Sequence, residues 1–146
     1  MLGLLAAVEV WLERDHEAEW AVWLKRLDTI AAAVRVLDGV ETQVIEPNGL
    51  SNRSPQLAIY WDGVARRITG EDLAELVGRS APRIALAAAD GADYAGVRIT
   101  PSQMQAGEAE VVAERLVSLL SAERVEAVRA AALAGEDVAV VLHEVV

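Results

Sequence analysis

Apolar residues recur at every third or fourth position along the first quarter of the chain: Leu4, Leu5, Val8 and Leu12, then Trp20, Trp23, Leu24, Leu27, Ile30, Ala31, Val34 and Leu37. That spacing predicts one long helix with a single apolar stripe. Glu17, Lys25, Asp28 and Arg35 fall on its other side, and Gly39 is placed to close it as a C-terminal cap. A straight helix of this span is about 50 Å long. Such an element more often links two bodies than lies inside one, and the charged run from Glu13 to Glu17 is where it can bend.

Shorter elements follow. Val40 to Glu46 alternates apolar and polar residues as a half-buried strand does, and Pro47-Asn48-Gly49 carries turn chemistry ahead of the polar loop from Ser51 to Ser54. Gln56 to Trp61 places Leu57, Ile59 and Trp61 on one face, which predicts an antiparallel partner for the first strand. Thr69-Gly70-Glu71-Asp72 has capping-box spacing and opens a short helix with Leu73, Leu76 and Val77 inward. Strands are expected over 83–88 and 96–100, separated by the turn Asp90 to Asp93. A helix is expected from Glu108 to Leu120, its stripe formed by Val112, Leu116, Leu119 and Leu120. The tail suggests a further helix over 122–134 and a last strand over 138–145. The predicted class is α+β: a long N-terminal helix, an antiparallel sheet of about four strands, and helices packed on one face. The divisions are 1–38 for the linking helix, 39–121 for a small α+β domain and 122–146 for a C-terminal extension.

Composition narrows the function classes. In 146 residues, 53% are hydrophobic and 25% charged, which is enough apolar surface for a core and unlike a disordered chain. Thirteen basic against 23 acidic residues leave a charge of −10, so direct nucleic-acid binding is not expected. Cysteine is absent, which removes thiol chemistry and a disulfide framework and points to the cytoplasm. The apolar opening from Met1 to Val8 has no basic residue before it and ends at Glu9, too short for a membrane span or a signal-peptide core.

No motif makes a self-contained active site. His16 and His143 are far apart; His16 sits at the edge of the helical stripe, where a structural role is the simpler reading, and His143 is read as a surface residue. Glu71-Asp72 and Glu108 with Glu110 fall in helix first turns, where negative charge offsets the helix dipole. No glycine run has phosphate-loop spacing. Trp20, Trp23 and Trp61 match apolar faces and are expected in packing. The arginines hold more interest, because they accompany a single lysine, Lys25, and a guanidinium grips carboxylate or phosphate with two prongs. Arg98 lies between Val97 and Ile99, and Arg83 follows Pro82. Strand alternation turns each away from its apolar neighbours, either to plain solvent or toward an anionic group.

Taken in order, three stretches resemble the C-terminal part of pyridoxal-phosphate enzymes of the aspartate-aminotransferase fold. The likeness is to the selenocysteine synthase (seryl-tRNA selenium transferase)-like group that includes glucosaminate-phosphate ammonia-lyases. LGLLAAVEVWLERD with WLKRLDTIAAAVRVLDGVETQVIEP looks like the family's long helix and first small-domain strand, and SPQLAIYWD like its second strand. ITPSQMQAGEAEVVAERLVSLLS looks like its last strand, turn and closing helix, with Met104 where the pattern has Leu. The likeness runs from Leu2 to Ser121.

The resemblance implies a cytosolic homo-oligomer, associating here through the N-terminal helix. It also implies a small domain that closes over pyridoxal phosphate held by a separate large domain, acting on an amino-acid-type substrate in a lyase or transferase reaction. The Schiff-base lysine lies in that large domain; Lys25, on the polar face of its helix, is read as a surface lysine, so no covalently held cofactor and no catalysis are expected of this chain alone. Arg98-Ile99-Thr100-Pro101 matches the family's strand whose arginine binds the substrate carboxylate, with Arg83 as the second candidate. The alternatives are a non-enzymatic α+β module that oligomerises through the Trp-bearing helix and, with less behind it, a small-molecule sensor domain.

Overall fold

The computed structural model describes residues 2–48 and 54–121, with positions 130, 134 and 135 beyond them. The expected helix over 122–134, apart from Ala130 and Ala134, lies outside the described residues. So do the strand over 138–145, His143 and most of the loop after Asn48.

The N-terminal pattern forms two helices, α1 (Leu2–Glu13) and α2 (His16–Val34), where the sequence pattern predicts one. The break falls in the charged run, and both of its sides are capped. The Asp15 carboxylate accepts the Ala18 N–H at 2.9 Å, starting α2, while His16 Nε2–H donates to the Trp11 carbonyl at 3.1 Å, one of the acceptors left over at the end of α1. His16 also packs on the Trp11 ring, 4.8 Å between centroids. It is a joint residue, as its place on the stripe edge suggests.

The apolar stripe is buried only in its second half. Leu27, Ile30, Ala31 and Val34 are in the core, Trp20 and Trp23 are half-buried, and Leu4, Leu5, Val8 and Leu12 are exposed. Nor does α2 reach Gly39: it ends at Val34. The chain then unwinds through tight turns, Leu37 N–H to the Val34 carbonyl and Val40 N–H to the Leu37 carbonyl, with Gly39 at φ +71° in the second. That earlier stop lets Val40 enter the core and brings Thr42 under Arg35, whose Nε–H donates to its hydroxyl at 2.6 Å.

Strands β1 (Glu41–Ile45), β2 (Gln56–Trp61), β3 (Ala87–Ala88) and β4 (Ala95–Ile99) form one antiparallel sheet in the order β1-β2-β4-β3. The expected strand over 83–88 shrinks to two residues, because Ile84 turns into the core instead of alternating in a ladder. Between β2 and β3 lie α3 (Gly63–Arg66), a single turn capped by Asp62, and α4 (Gly70–Arg79); the closing helix is α5 (Glu108–Leu120).

Pairing sorts the sheet residues cleanly between its faces. Leu57, Ile59 and Trp61 of β2 and Ala95, Val97 and Ile99 of β4 point to one side, where they meet Leu27, Ile30 and Val34 of α2, Leu73 and Val77 of α4, and Leu116, Leu119 and Leu120 of α5. Each fully buried Leu, Ile or Val contributes roughly 1.5–3 kcal/mol of transfer free energy. The architecture is therefore α+β with helices on one face of a four-stranded antiparallel sheet, and the opposite face carries Glu41, Gln43, Ala58, Tyr60, Gly96 and Arg98 among its residues. No helix among the described residues is long and apolar enough to cross a membrane.

Candidate functional site

Among the described residues, three places on this fold could carry chemistry: the sheet face that no described helix covers (the uncovered face), the groove at the start of α2, and the projecting helix α1. The groove encloses about 430 Å³ and is lined by Arg14, Asp15, Glu19, Trp23, Arg26 and Ser102. Its charges are already used. Arg14 Nε–H donates to Glu19 at 2.9 Å, Asp15 caps α2, and Arg26 reaches the Pro101 carbonyl at 3.4 Å.

Other arginines have similar structural tasks. Arg66 donates to the carbonyls of Leu120 and Asp38, joining the end of α5 to the turn after α2, and Arg115 donates to the Ala81 carbonyl at 3.1 Å. Leu120 ends α5, where carbonyl groups are left without intrahelical partners, while Asp38 and Ala81 lie just past the ends of α2 and α4. Nothing in the local sequence marks Arg66, because both its acceptors are remote in the chain.

Arg98 and Arg83 stand apart from this pattern: among the described residues neither side chain makes a hydrogen bond or ion pair, and both residues are exposed. The structure does not bring them together. Arg83 lies in the connection from α4 to β3 and not on a strand as the sequence pattern suggests; its neighbour Ile84 is buried and donates its N–H to the Val77 carbonyl at 3.0 Å, so the connection runs along the helical layer. Arg98 lies on β4 opposite Ala58 of β2 and Ala87 of β3, on the uncovered sheet face.

Around Arg98 that face has a defined relief. Ala58 is fully buried beneath its neighbours, and Gln43 stands across from it on β1. Tyr60 lies opposite Gly96, two positions from Arg98 along β4, and its ring occupies the space over that glycine: a Cβ at Gly96 would come within 2.8 Å of Tyr60 Cδ1. Tyr94 meets the Tyr60 ring edge to face, 5.0 Å between centroids at 78°, and sits over Gly91. Tyr60 and Tyr94 escape a motif search, yet alternation along β2 already assigns Tyr60 to the face opposite Trp61.

An exchange of arginines distinguishes the two kinds of role. Arg66→Met is expected to destabilise the fold by about 1–3 kcal/mol, since it strands two carbonyls near the surface. Arg98→Met is expected to change stability by no more than about 0.5 kcal/mol. Urea denaturation of both variants measures the contrast, and a costly Arg98→Met would mean that this side chain holds the fold.

Lys25 is exposed on α2, and among the described residues only its backbone is engaged, its carbonyl accepting from the Thr29 hydroxyl at 3.0 Å. Among the described residues no group of three or more His, Asp or Glu is placed to hold a metal ion. Comparison with protein-family models, with curated proteins and with solved structures found no match to this chain.

Proposed function

We propose that this chain is the C-terminal small domain of a pyridoxal-phosphate-dependent lyase or transferase, working in the cytoplasm on an amino-acid-type substrate beside a separate cofactor-bearing body. The observation that carries the reading is α1. None of its side chains from Gly3 to Glu13 is buried, although Leu4 is 72% exposed, Leu12 69% and Trp11 58%. An apolar helix left uncovered is a surface that a partner buries.

The cofactor does not fit the residues of this chain. A Schiff-base lysine needs a desolvated amine, and Lys25 lies on an exposed helix face. The small domain's own contribution is Arg98, on a rigid central strand. Its guanidinium binds the substrate's acid group and fixes its orientation.

A second reading is favoured by the same helix: a non-enzymatic module in which α1 joins copies of this chain. One experiment addresses both. The chain is mixed with the large domain of a selenocysteine synthase-like enzyme made without its small domain, and solution mass and lyase or transferase turnover are followed. A one-to-one complex that regains turnover, lost with Leu5→Glu/Leu12→Glu, is expected. Self-association through α1 with no complex would establish the module instead, and a monomer that ignores the large domain would overturn both.

A further inference from the structure

Tyr60 and Tyr94 take no part in the core, yet both are held in place. Each ring rests over a glycine, and each braces the other, so the pair forms a fixed aromatic wall on the uncovered sheet face. Tyr94 is 47% exposed and Tyr60 half-buried, leaving ring surface open to a ligand. Arg98 is diagonal to Tyr60 across the β2–β4 ladder. That relation puts the two backbone positions about 7–8 Å apart with both side chains on one face, within reach of a single small molecule.

We infer that Tyr60 is a specificity-determining residue acting beside Arg98, and that the ligand is an amino-acid-type carboxylate bearing an aromatic or C–H-rich side chain. This deepens the reading of Arg98 given above and rests on it. Charge selects the acid end: Arg98 is the cation among the paired residues of this face, and the face's carboxylate, Glu41, stands across Tyr60 on β1, on the far side of β2 from Arg98, in a chain whose charge of −10 repels extended polyanions. Ring surface selects the other end. Because the wall is preorganised, little conformational freedom is lost when a ring packs on it.

The test is a titration of the whole chain followed by backbone-amide NMR shifts, with N-acetylphenylalanine, N-acetylglycine, N-acetylphenylalanine amide and an oligothymidine as probes. N-acetylphenylalanine is expected to bind at least about threefold tighter than N-acetylglycine, the scale of one aromatic contact. The amide is expected to bind much more weakly, with the shifts centred on β2 and β4. Tyr60→Leu should erase the ring preference, bringing N-acetylphenylalanine to the affinity of N-acetylglycine, Tyr60→Phe should keep it, and Arg98→Met should remove binding of both acids. Acid binding that depends on Arg98 but shows no ring preference sinks the role of Tyr60 and leaves the Arg98 reading standing. Indifference to Arg98→Met, or no saturable acid binding, removes both. Tighter binding of the oligothymidine than of either acid would assign the face to nucleic acid and overturn the proposal.

Discussion

Asp90→Ala is expected to destabilise the protein by about 2–4 kcal/mol, a large share of the 5–15 kcal/mol by which a domain is ordinarily stable. One carboxylate in the turn between β3 and β4 accepts three backbone N–H groups: Gly70 at 2.6 Å, Gly96 at 3.0 Å and Glu71 at 3.1 Å. Two of these donors open α4 and have no partner inside the helix, and the third lies on β4. The capping box serves the rest of that first turn, with the Thr69 hydroxyl accepting from Asp72 N–H at 3.0 Å and the Asp72 carboxylate accepting from Thr69 N–H at 3.1 Å. Removing Asp90 therefore empties a position that no neighbour refills. Gly70 and Gly96 are buried, so their N–H groups keep most of the penalty, whereas Glu71 is exposed and water can serve it. Asp90→Asn should fall between wild type and alanine, keeping an acceptor oxygen but losing the charge at the helix start. Urea denaturation supplies the free energies, and amide exchange at Gly96 should quicken in parallel. A loss below about 0.5 kcal/mol would mean the carboxylate is incidental.

Asp90 also shows where sequence reading reaches its limit. Local rules found what is local. Alternation gave Leu57, Ile59 and Trp61 one face of β2, helical spacing gave α5 its buried stripe, and Thr69 with Asp72 announced the start of α4; all three agree with the structure. The second half of that cap comes from twenty residues downstream, and no propensity or spacing rule connects Gly70 to Asp90. The N-terminal helix failed in a more instructive way. Its periodicity is real from Leu4 onward, but periodicity reports which residues share a face and not whether anything covers that face. Leu27 and Leu12 belong to one pattern, yet the first is fully buried and the second is exposed. The candidate site was half legible. Arg98 stood out as a charge between apolar strand residues, while Tyr60 and Tyr94 became a wall only when pairing set them over Gly96 and Gly91.

The joint between α4 and β4 makes a still sharper demand on Gly70. Gly70→Ala is expected to cost more than about 3 kcal/mol, at the upper end of what overpacking does, although alanine is the better helix former by about 1 kcal/mol. The new Cβ would lie 1.8 Å from the Gly96 carbonyl oxygen, 2.8 Å from its carbon and 2.7 Å from Asp90 Oδ1. Two of those atoms are backbone of a central strand and cannot swing aside as a side-chain tip would. Relief requires moving α4 away from β4, which lengthens the hydrogen bonds from Gly70 and Glu71 to Asp90. The costs of Gly70→Ala and Asp90→Ala should therefore overlap, and the double variant should lose less than the sum of the singles. Gly78 supplies the control within the same helix. The nearest atom to a Cβ there is the Ile84 carbonyl oxygen at 4.0 Å, so Gly78→Ala meets open space and is expected to stabilise by about 0.5 kcal/mol through helix propensity alone. The same chemical change in one ten-residue helix thus carries opposite signs, and equal effects at the two positions in urea denaturation would refute the close approach of α4 to β4 that holds the turn under Tyr94.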